Sequence, residues 1–329
     1  MATTAHGMDK TKLKDEERDV LRPNGKTLPD DPQYDLHLYR GLWLLSGSVK
    51  MMPKVAKMRA RPDDIVVASF PKSGTTWMQA IVQLIMYRTL GTITRVGLSE
   101  NDWCFLDLAH NADPMPIDLL DEQMSPRLIK THLPWDLLPK SIVEKKCKMI
   151  YVYRNPKDVM VSLYHFCKNV PEVIHSCPHE TFEEFVQAFL KDRVIYAPYF
   201  ENIASFWQHR GDANVLFVAY EDMSSKPQET ISRVANFLGE PLDKETLDMI
   251  VRKTSFGEMK KSENVKRIIR RSSIAQSLAP RKPDGTNFHF LRCGKTEEWR
   301  KEFSPELAAT ADKWVTENLA AAQLAGFSF

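Results

Sequence analysis

One short loop constrains this 329-residue chain most strongly, because it joins an apolar run to a helical pattern. The loop reads Pro-Lys-Ser-Gly-Thr-Thr at residues 71–76 and follows an apolar run at residues 64–70. From Thr75 onward, apolar residues recur at the spacing of one helix face. A helix N-terminus offers unpaired backbone N–H groups, and a loop of small residues lets an anion approach them. The segment therefore predicts a strand-loop-helix unit that binds a phosphate-like group, with Lys72 adding a positive charge.

The position of the lysine separates this loop from the Walker A motif. In the Walker pattern, G-x-x-x-x-G-K-[ST], the lysine follows the second glycine. Here Thr75 stands at that place and Lys72 precedes Gly74, while Asp222 is the nearest candidate for a magnesium-binding aspartate. We therefore predict an anionic group shorter than a triphosphate, bound without an essential metal. A P-loop kinase and a non-catalytic nucleotide-binding protein remain alternative interpretations of the loop.

Short apolar runs alternate with helical patterns along the rest of the chain. The strand-like runs lie at residues 64–70, 127–130, 148–153 and 215–220. The helical patterns cover residues 75–88, 156–168, 229–238 and 305–324. This alternation predicts a single α/β domain with a central, mostly parallel sheet flanked by helices. Because ligands bind beyond the carboxyl ends of parallel strands, we expect Lys72, Lys130, His132 and Arg154 to meet at one edge.

The composition bounds the surroundings and partners of the chain. A net charge of +2 gives no overall basic field that would favour nucleic acid. Five irregularly spaced cysteines, no signal sequence and no long apolar run predict a cytoplasmic protein with no membrane partner. Residues 1–35 are polar and contain prolines, which predicts a flexible arm ahead of a domain at residues 36–329. The His and Cys residues between 165 and 179 match no standard zinc spacing, so no metal is predicted.

Five segments, in order, resemble signatures of the cytosolic sulfotransferases. These enzymes transfer a sulfonyl group from 3′-phosphoadenosine 5′-phosphosulfate (PAPS) to an acceptor and release 3′-phosphoadenosine 5′-phosphate (PAP). Pro-Lys-Ser-Gly-Thr-Thr-Trp resembles their 5′-phosphosulfate loop. The other four segments lie at residues 130–134, 151–162, 220–223 and 254–256. The resemblance runs from about residue 40 to about residue 303 and implies PAPS as the cofactor.

Three residues are predicted to carry the chemistry. Transfer needs the acceptor hydroxyl to lose its proton, and a histidine titrates near the working pH for that task, which favours His132 as general base. Lys72 is placed to stabilise charge on the leaving oxygen. Lys130 either assists the same oxygens or only orients His132.

The resemblance also implies a cofactor site with two phosphate-binding parts and an aromatic adenine pocket. Arg154 and Ser162 match family residues that bind the 3′-phosphate, although spacing alone leaves Ser162 as an ordinary mid-helix serine. The full predicted set is Lys72, Ser73, Gly74, Thr75, Thr76, Trp77, Arg154, Ser162, Tyr220, Thr254, Phe256, Phe290, Leu291, Arg292, Cys293 and Gly294.

One cofactor segment departs from the family pattern. The family usually has Arg-Lys-Gly, whereas this chain has Arg292, Cys293 and Gly294. The cysteine removes one charge near the 3′-phosphate, which predicts weaker binding by one ion pair, with Lys295 as the nearest candidate to compensate.

A set of mostly apolar residues is predicted to shape the pocket of a small-molecule acceptor: Trp103, Phe105, His165, Phe166, Tyr199 and Phe200. This composition suits a phenol, a catecholamine or a lipophilic alcohol. A retinol-dehydratase-like activity, in which a sulfated intermediate eliminates, would use the same cofactor site and remains an alternative.

Two segments bear on assembly and on access to the site. The family's dimer motif needs Thr-Val and a later Glu, but Ser304, Pro305 and Ala309 stand at those places. We therefore expect a monomer or an alternative dimer, and a helix that starts at Ser304-Pro305. The basic segment at residues 260–282 resembles a lengthened version of the family's lid, with a solvated loop as the alternative.

Overall fold

The computed structural model describes residues 35–89, 103–107, 117–169, 179–261 and 291–329. Nearly all of the predicted N-terminal arm lies outside the described residues. Phe290 and residues 262–282 of the basic segment also lie outside them.

A five-stranded parallel sheet forms the centre of the domain. Its strands are β3 (Ile65–Ser69), β4 (Trp103–Phe105), β5 (Leu128–Thr131), β6 (Lys148–Tyr153) and β7 (Val215–Ala219), in the spatial order β4-β5-β3-β6-β7. All neighbouring strands of this sheet run parallel. A separate antiparallel pair joins β1 (His37–Tyr39) and β2 (Leu42–Leu44). The predicted α/β architecture with a parallel sheet is confirmed.

Helices flank the sheet along the chain. They are α1 (Ser46–Ala56), α2 (Thr75–Thr89), α3 (Lys140–Glu144), α4 (Pro156–Asn169), α5 (Phe182–Leu190), α6 (Tyr199–Trp207), α7 (Tyr220–Ser225), α8 (Pro227–Leu238), α9 (Lys244–Lys253), α10 (Phe256–Lys261) and α11 (Pro305–Ala321). Short 3₁₀ turns lie at Leu120–Glu122, Trp135–Leu137 and Glu298–Lys301. The four predicted strands and four predicted helices are all present, and their ends agree within three residues.

Local capping explains where several helices begin and end. Thr181 and Glu184 form a reciprocal capping box at the start of α5. Ser304 accepts a hydrogen bond from the Leu307 N–H at the start of α11, with Pro305 in its first turn, as predicted. Helix α8 ends at Gly239, whose φ of +84° suits a residue without a Cβ.

Both faces of the sheet are buried, because successive residues of a strand point to opposite sides. On one side, Val66 and Tyr151 pack in a large cluster with α4, α5, α6 and α11. On the other, Val67 and Ile150 pack with α2, α8 and α9. The faces are therefore filled with apolar side chains, and polar chemistry is left to the edge where the strands end.

Two properties of the described residues bear on the environment of the chain. None of their helices is long and apolar enough to cross a membrane. Four cysteines lie among them, at positions 104, 147, 167 and 293, and each is a free thiol.

Candidate active site

The loop after β3 is shaped by a close contact with an aromatic ring. Gly74 has a φ of +108°, and a Cβ built on it would lie 2.6 Å from Cδ2 of Tyr220. Lys72 also has a positive φ, of 69°, which is uncommon for a residue with a side chain. The loop therefore turns tightly under Tyr220 and enters α2 at Thr75, where the first N–H groups of the helix have no partner within the helix.

Four buried polar atoms in this region have no hydrogen-bond partner among the described residues. They are the hydroxyl of Ser73, Nε1 of Trp77, Nε of Arg154 and Oε2 of Glu221. Ser73 is fully buried, with 0% of its surface exposed. The neighbouring hydroxyl of Thr75 is paired, 2.5 Å from Oγ of Ser69. Since buried polar groups are nearly always paired, the Ser73 and Arg154 atoms fit a ligand that accepts hydrogen bonds.

Several cations meet at this edge of the sheet. Burial of its ammonium group, together with repulsion from Lys130, Arg154 and Arg292, lowers the pKa of Lys72 to about 7. Burial lowers the pKa of Lys130 to about 8, against the attraction of Asp107. An anion bound here would relieve this repulsion, so the electrostatics fit a phosphate or phosphosulfate group.

Hydrogen bonding fixes the protonation of His132. Its Nδ1 lies 2.7 Å from the carbonyl oxygen of Ser69, which can only accept, so Nδ1 carries the proton. In the neutral ring Nε2 is then the acceptor. Burial, and next to it the charge of Lys130, holds the pKa of His132 well below its usual value, while the Ser69 bond opposes the shift. The ring is therefore neutral near pH 7 and has one nitrogen able to take a proton.

The backbone of His132 is held on both sides. Its N–H donates to Asp107, with Oδ1 at 3.1 Å. Its carbonyl accepts a hydrogen bond of 3.0 Å from Nδ2 of Asn202. The Asn202 amide is oriented in turn by the Tyr151 hydroxyl, which donates to its Oδ1 at 2.7 Å.

Aromatic rings surround the histidine and the lysines. The rings of Phe105 and Tyr196 meet the imidazole of His132 edge to face, with centroids 5.2 and 5.3 Å away. Nζ of Lys130 lies 3.9 Å from the centre of the Phe105 ring, and Nζ of Lys72 lies 4.3 Å from that of Phe166. Two predicted acceptor-pocket residues, Phe105 and Phe166, thus lie beside the groups predicted to be catalytic.

Three other residues predicted for the acceptor pocket pack in the core instead. Trp103 is buried among the side chains on the α2 side of the sheet. Tyr199 packs edge to face on Phe70, and its hydroxyl donates to the carbonyl of Arg154. Phe200 is 3% exposed and packs against Trp314. This packing does not support a role in the acceptor pocket. The sequence could not show the difference, because large aromatic residues have the same sequence signature in a core and in a pocket.

Arg154 links the two segments that were predicted to bind phosphate. Its Nη2 donates to the carbonyl of Lys295 at 2.9 Å, and its Nη1 donates to the carbonyl of Lys72 at 3.4 Å. Its guanidinium also lies over the Tyr220 ring, 4.0 Å from the centroid.

Ser162 is half-buried on α4, one helical turn beyond Asp158. Asp158 accepts hydrogen bonds from the N–H groups of Glu297 and Trp299, which attaches the 297–299 turn to α4.

The predicted 3′-phosphate segment contains its own ion pair. Arg292 lies 3.6 Å from Glu302, and the same carboxylate is 2.7 Å from Nε2 of His165. His165 therefore faces the Arg292 side of the site, although the sequence predicted it in the acceptor pocket. Cys293 is half-buried, and its thiol donates to Glu298.

Among the residues predicted for the adenine pocket, two pairs are in contact, and the others lie nearby in the chain or the core. Trp77 meets Tyr220 edge to face, with centroids 5.5 Å apart. A Cβ on Gly294 would lie 2.0 Å from the Phe256 ring, so only glycine fits there. The hydroxyl of Thr254 bonds within its own helix, to the carbonyl of Ile250. Thr76 is half-buried in the first turn of α2, and Leu291 packs on the α2 side of the core.

Sequence reasoning missed the groups that hold His132. Asp107 follows β4, a strand of three residues that is too short to show a period-2 pattern. Tyr196 and Asn202 lie more than sixty residues from His132 in the sequence, in segments without a local motif. Among the described residues, no group of three or more His, Cys, Asp or Glu side chains is placed to hold a metal ion.

Comparison with known proteins agrees with the arrangement. The profile of the family described as "Sulfotransferase domain" matches residues 62–323. Sulfotransferase 1E1 of Cavia porcellus is 35% identical over 289 residues, which cover 86% of this chain and 94% of that protein. Sulfotransferase 1C2 of Oryctolagus cuniculus is 34% identical over 273 residues, which cover 83% and 88%.

Solved structures give the same result. Mouse sulfotransferase SULT7A1, complexed with PAP, superposes with a TM-score of 0.69 at 28% identity, over 86% of this chain and 94% of that one. Retinol dehydratase, in a complex with retinol and PAP, superposes with a TM-score of 0.73 at 26% identity, over 87% and 91%. The chain belongs to the family of cytosolic sulfotransferases and is a PAPS-dependent enzyme of that family.

Proposed function

We propose that this protein transfers the sulfonyl group of PAPS to the hydroxyl or amine group of a small, mostly apolar acceptor. A phenol, a catecholamine or a lipophilic alcohol would fit the aromatic surroundings of His132. The observation that carries the proposal is the fixed tautomer of His132, whose Nδ1 donates to Ser69 and whose Nε2 is left as an acceptor. A base of this kind, kept neutral by burial, suits the removal of a proton from an acceptor hydroxyl.

The residues present fit the cofactor. Ser73, Thr75, Thr76 and the first N–H groups of α2 would hold the 5′-phosphosulfate end. Arg154, Ser162 and Arg292 would hold the 3′-phosphate, and Trp77, Tyr220 and Phe256 would contact the adenine. The buried, unpartnered atoms of Ser73 and Arg154 support this assignment, since both can donate to a phosphate oxygen.

The group-transfer step follows from the placement of three side chains. PAPS supplies an activated sulfonyl group. The acceptor oxygen forms a bond to sulfur while the bond from sulfur to the phosphate oxygen breaks, and the acceptor proton passes to Nε2 of His132. Lys72 stabilises the negative charge on the leaving phosphate oxygen, and Lys130 adds a second cation beside the reacting atoms.

The aromatic contacts favour a flat or apolar acceptor. Phe105, Tyr196 and Phe166 present ring edges and faces next to His132 and Lys72. Such rings bind apolar groups well, and they leave the base and the cations to select the hydroxyl. We also propose a cytoplasmic enzyme that needs no metal and that is a monomer or an alternative dimer.

The experiment is transfer from ³⁵S-labelled PAPS to a panel of phenols, catecholamines, sterols and retinol. We expect a labelled product with at least one flat or apolar hydroxyl compound, without added divalent metal. Stabilisation of the protein by PAP together with no transfer to any member of the panel would contradict the acceptor class and favour a binding role. Stabilisation by ATP with magnesium, and none by PAP, would contradict the cofactor assignment.

The same assay decides between transfer and elimination for lipophilic alcohols. The similarity in fold to retinol dehydratase, with a TM-score of 0.73, makes elimination a second candidate. A stable sulfate ester of retinol would assign simple transfer. Free sulfate together with a dehydrated hydrocarbon would assign the elimination.

A further inference from the structure

The carboxylate of Asp107 is buried next to His132 and is held by three donors. Asp107 has 0% of its surface exposed. It accepts hydrogen bonds from Oγ1 of Thr131 at 2.5 Å and from the His132 N–H at 3.1 Å. The hydroxyl of Tyr196 is the third donor, and that hydroxyl is bonded in turn to Ser48. A buried charge is costly unless it is fully hydrogen-bonded, and these donors meet that requirement.

Asp107 reaches His132 by two routes. It holds the backbone N–H directly, and it holds Tyr196, whose ring lies against the imidazole at 5.3 Å. The histidine is thus positioned at its main chain and at its ring by one carboxylate.

Asp107 also supplies negative charge among cations. It attracts Lys130, whose charge adds to the larger effect of burial in lowering the pKa of His132. The other titratable groups that face this pair are Lys72, Cys104 and Tyr196. Burial raises the pKa of Asp107, and the hydrogen bonds from Thr131, Tyr196 and the His132 N–H oppose that shift and favour the charged carboxylate.

We propose that Asp107 is a positioning residue for sulfonyl transfer, which fixes the backbone and ring of His132 and places a carboxylate among the cations beside it. This inference rests on the proposed function, because it assumes that His132 and Lys130 serve the transfer step. The hydrogen bonds of Asp107 described above run to Thr131, His132 and Tyr196 and not to the 71–76 loop, so we expect its effect on the chemical step and not on cofactor binding.

Asp107→Asn tests the proposal because it keeps the shape and removes the charge. Without the carboxylate, the pKa of Lys130 falls below its value of about 8. The alkaline limb of the kcat profile therefore moves to lower pH. His132 stays neutral, since loss of a nearby negative charge lowers its pKa further. We expect kcat to fall about 10- to 100-fold, the alkaline limb to move by about one pH unit, and the Kd for PAP to stay unchanged.

Two further variants separate charge from shape. Tyr196→Phe removes one donor and keeps the charge, so kcat should fall only a few-fold with the alkaline limb at its wild-type pH. Asp107→Asn combined with Lys130→Arg should lose the alkaline shift, because a guanidinium stays protonated over the whole accessible range. A fall in kcat for Asp107→Asn with an unmoved alkaline limb would overturn the charge role, and an unchanged kcat would overturn both roles.

A measurement on the wild-type protein keeps the proposal testable if Asp107→Asn does not fold. The rate at which an amine-reactive reagent modifies Lys130, followed against pH by peptide mass spectrometry, reports its protonation. We expect protonated Lys130 at pH 7, and a lysine already neutral there would overturn the proposal. The variant His132→Ala separates failure of the proposed function from failure of the Asp107 proposal. If the proposed function is wrong, His132→Ala transfers sulfonyl groups at the wild-type rate, whether or not Asp107→Asn changes kcat.

Discussion

The two halves of this site are built in different ways. The cofactor half consists of the 71–76 loop, Arg154 and the 291–295 segment, and it relies on local motifs, each of which can be seen in a short stretch of sequence. The acceptor half consists of His132 with Asp107, Tyr196 and Asn202, and it is assembled from β4, β5, α6 and the segment that precedes α6. In the proposed function, local motifs would bind a constant ligand, PAPS, whereas long-range contacts hold the backbone and ring of His132 in place. Substitutions in the two halves should therefore affect different kinetic constants.

The largest effect in the cofactor half is expected from Gly74→Ala. The added Cβ would lie 2.6 Å from the Tyr220 ring at a φ of +108°, so the loop must shift. With a strain of about 1–3 kcal/mol, we expect the Kd for PAP to rise about 10- to 100-fold. Calorimetric titration with PAP measures this.

The matched control is Gly257→Ala, since Gly257 lies in α10 with nothing within 4 Å of the added Cβ. It should leave the Kd unchanged. Equal Kd values for PAP in the wild type and in Gly74→Ala would contradict a role of this loop in cofactor binding.

In the acceptor half, Tyr151→Phe should act on turnover without changing cofactor affinity. The substitution removes the hydroxyl that orients Asn202, and Asn202 holds the carbonyl of His132. A lost buried hydrogen bond costs about 1 kcal/mol, so we expect kcat to fall about five-fold at an unchanged Kd for PAP. Steady-state kinetics with saturating PAPS measures kcat, and titration with PAP measures the Kd, so the two effects can be told apart. A larger change in Kd than in kcat would contradict the division into halves.

The charge of Lys72 gives the cofactor half a pH dependence. Its pKa is lowered to about 7 in the free protein, and an anion bound beside it favours the charged form. Binding of PAP near pH 8 should therefore take up part of a proton, and affinity should fall as the pH rises above 7. Calorimetry in two buffers of different ionisation enthalpy measures the uptake. The variant Lys72→Met should take up less, since Lys130, with a pKa of about 8, can still gain a proton, and wild-type uptake of zero would place the anion elsewhere.

The smallest effect is expected from Cys293→Lys, which restores the charge that the family pattern has at this place. An exposed ion pair contributes about 0.2–1 kcal/mol, so PAP should bind only a few-fold more tightly. Titration at low and high salt checks that the gain is electrostatic, and Cys293→Met is the uncharged control. Tighter binding by both variants would exclude a charge effect.

The contrast between the halves also explains how far the sequence could be interpreted. Strands β3, β5, β6 and β7 were predicted because each is a short apolar run. The phosphate loop was predicted because glycine, lysine and hydroxyl residues stand together at a helix start. Trp103, Tyr199 and Phe200 were assigned to a pocket although they pack in the core, since residue type does not show which way a ring faces. Asp107 was missed because its role depends on β4 lying beside β5, which no local pattern encodes.

The central claim is that Nε2 of His132 accepts the acceptor proton during sulfonyl transfer. The most direct measurement is the single-turnover rate of His132→Ala with labelled PAPS and an active acceptor, beside His209→Ala as a control for loss of a partly exposed histidine. Loss of a general base should slow the step about 10²- to 10⁴-fold, with the Kd for PAP unchanged and the His209 variant at the wild-type rate. Transfer by His132→Ala at the wild-type rate would contradict the account.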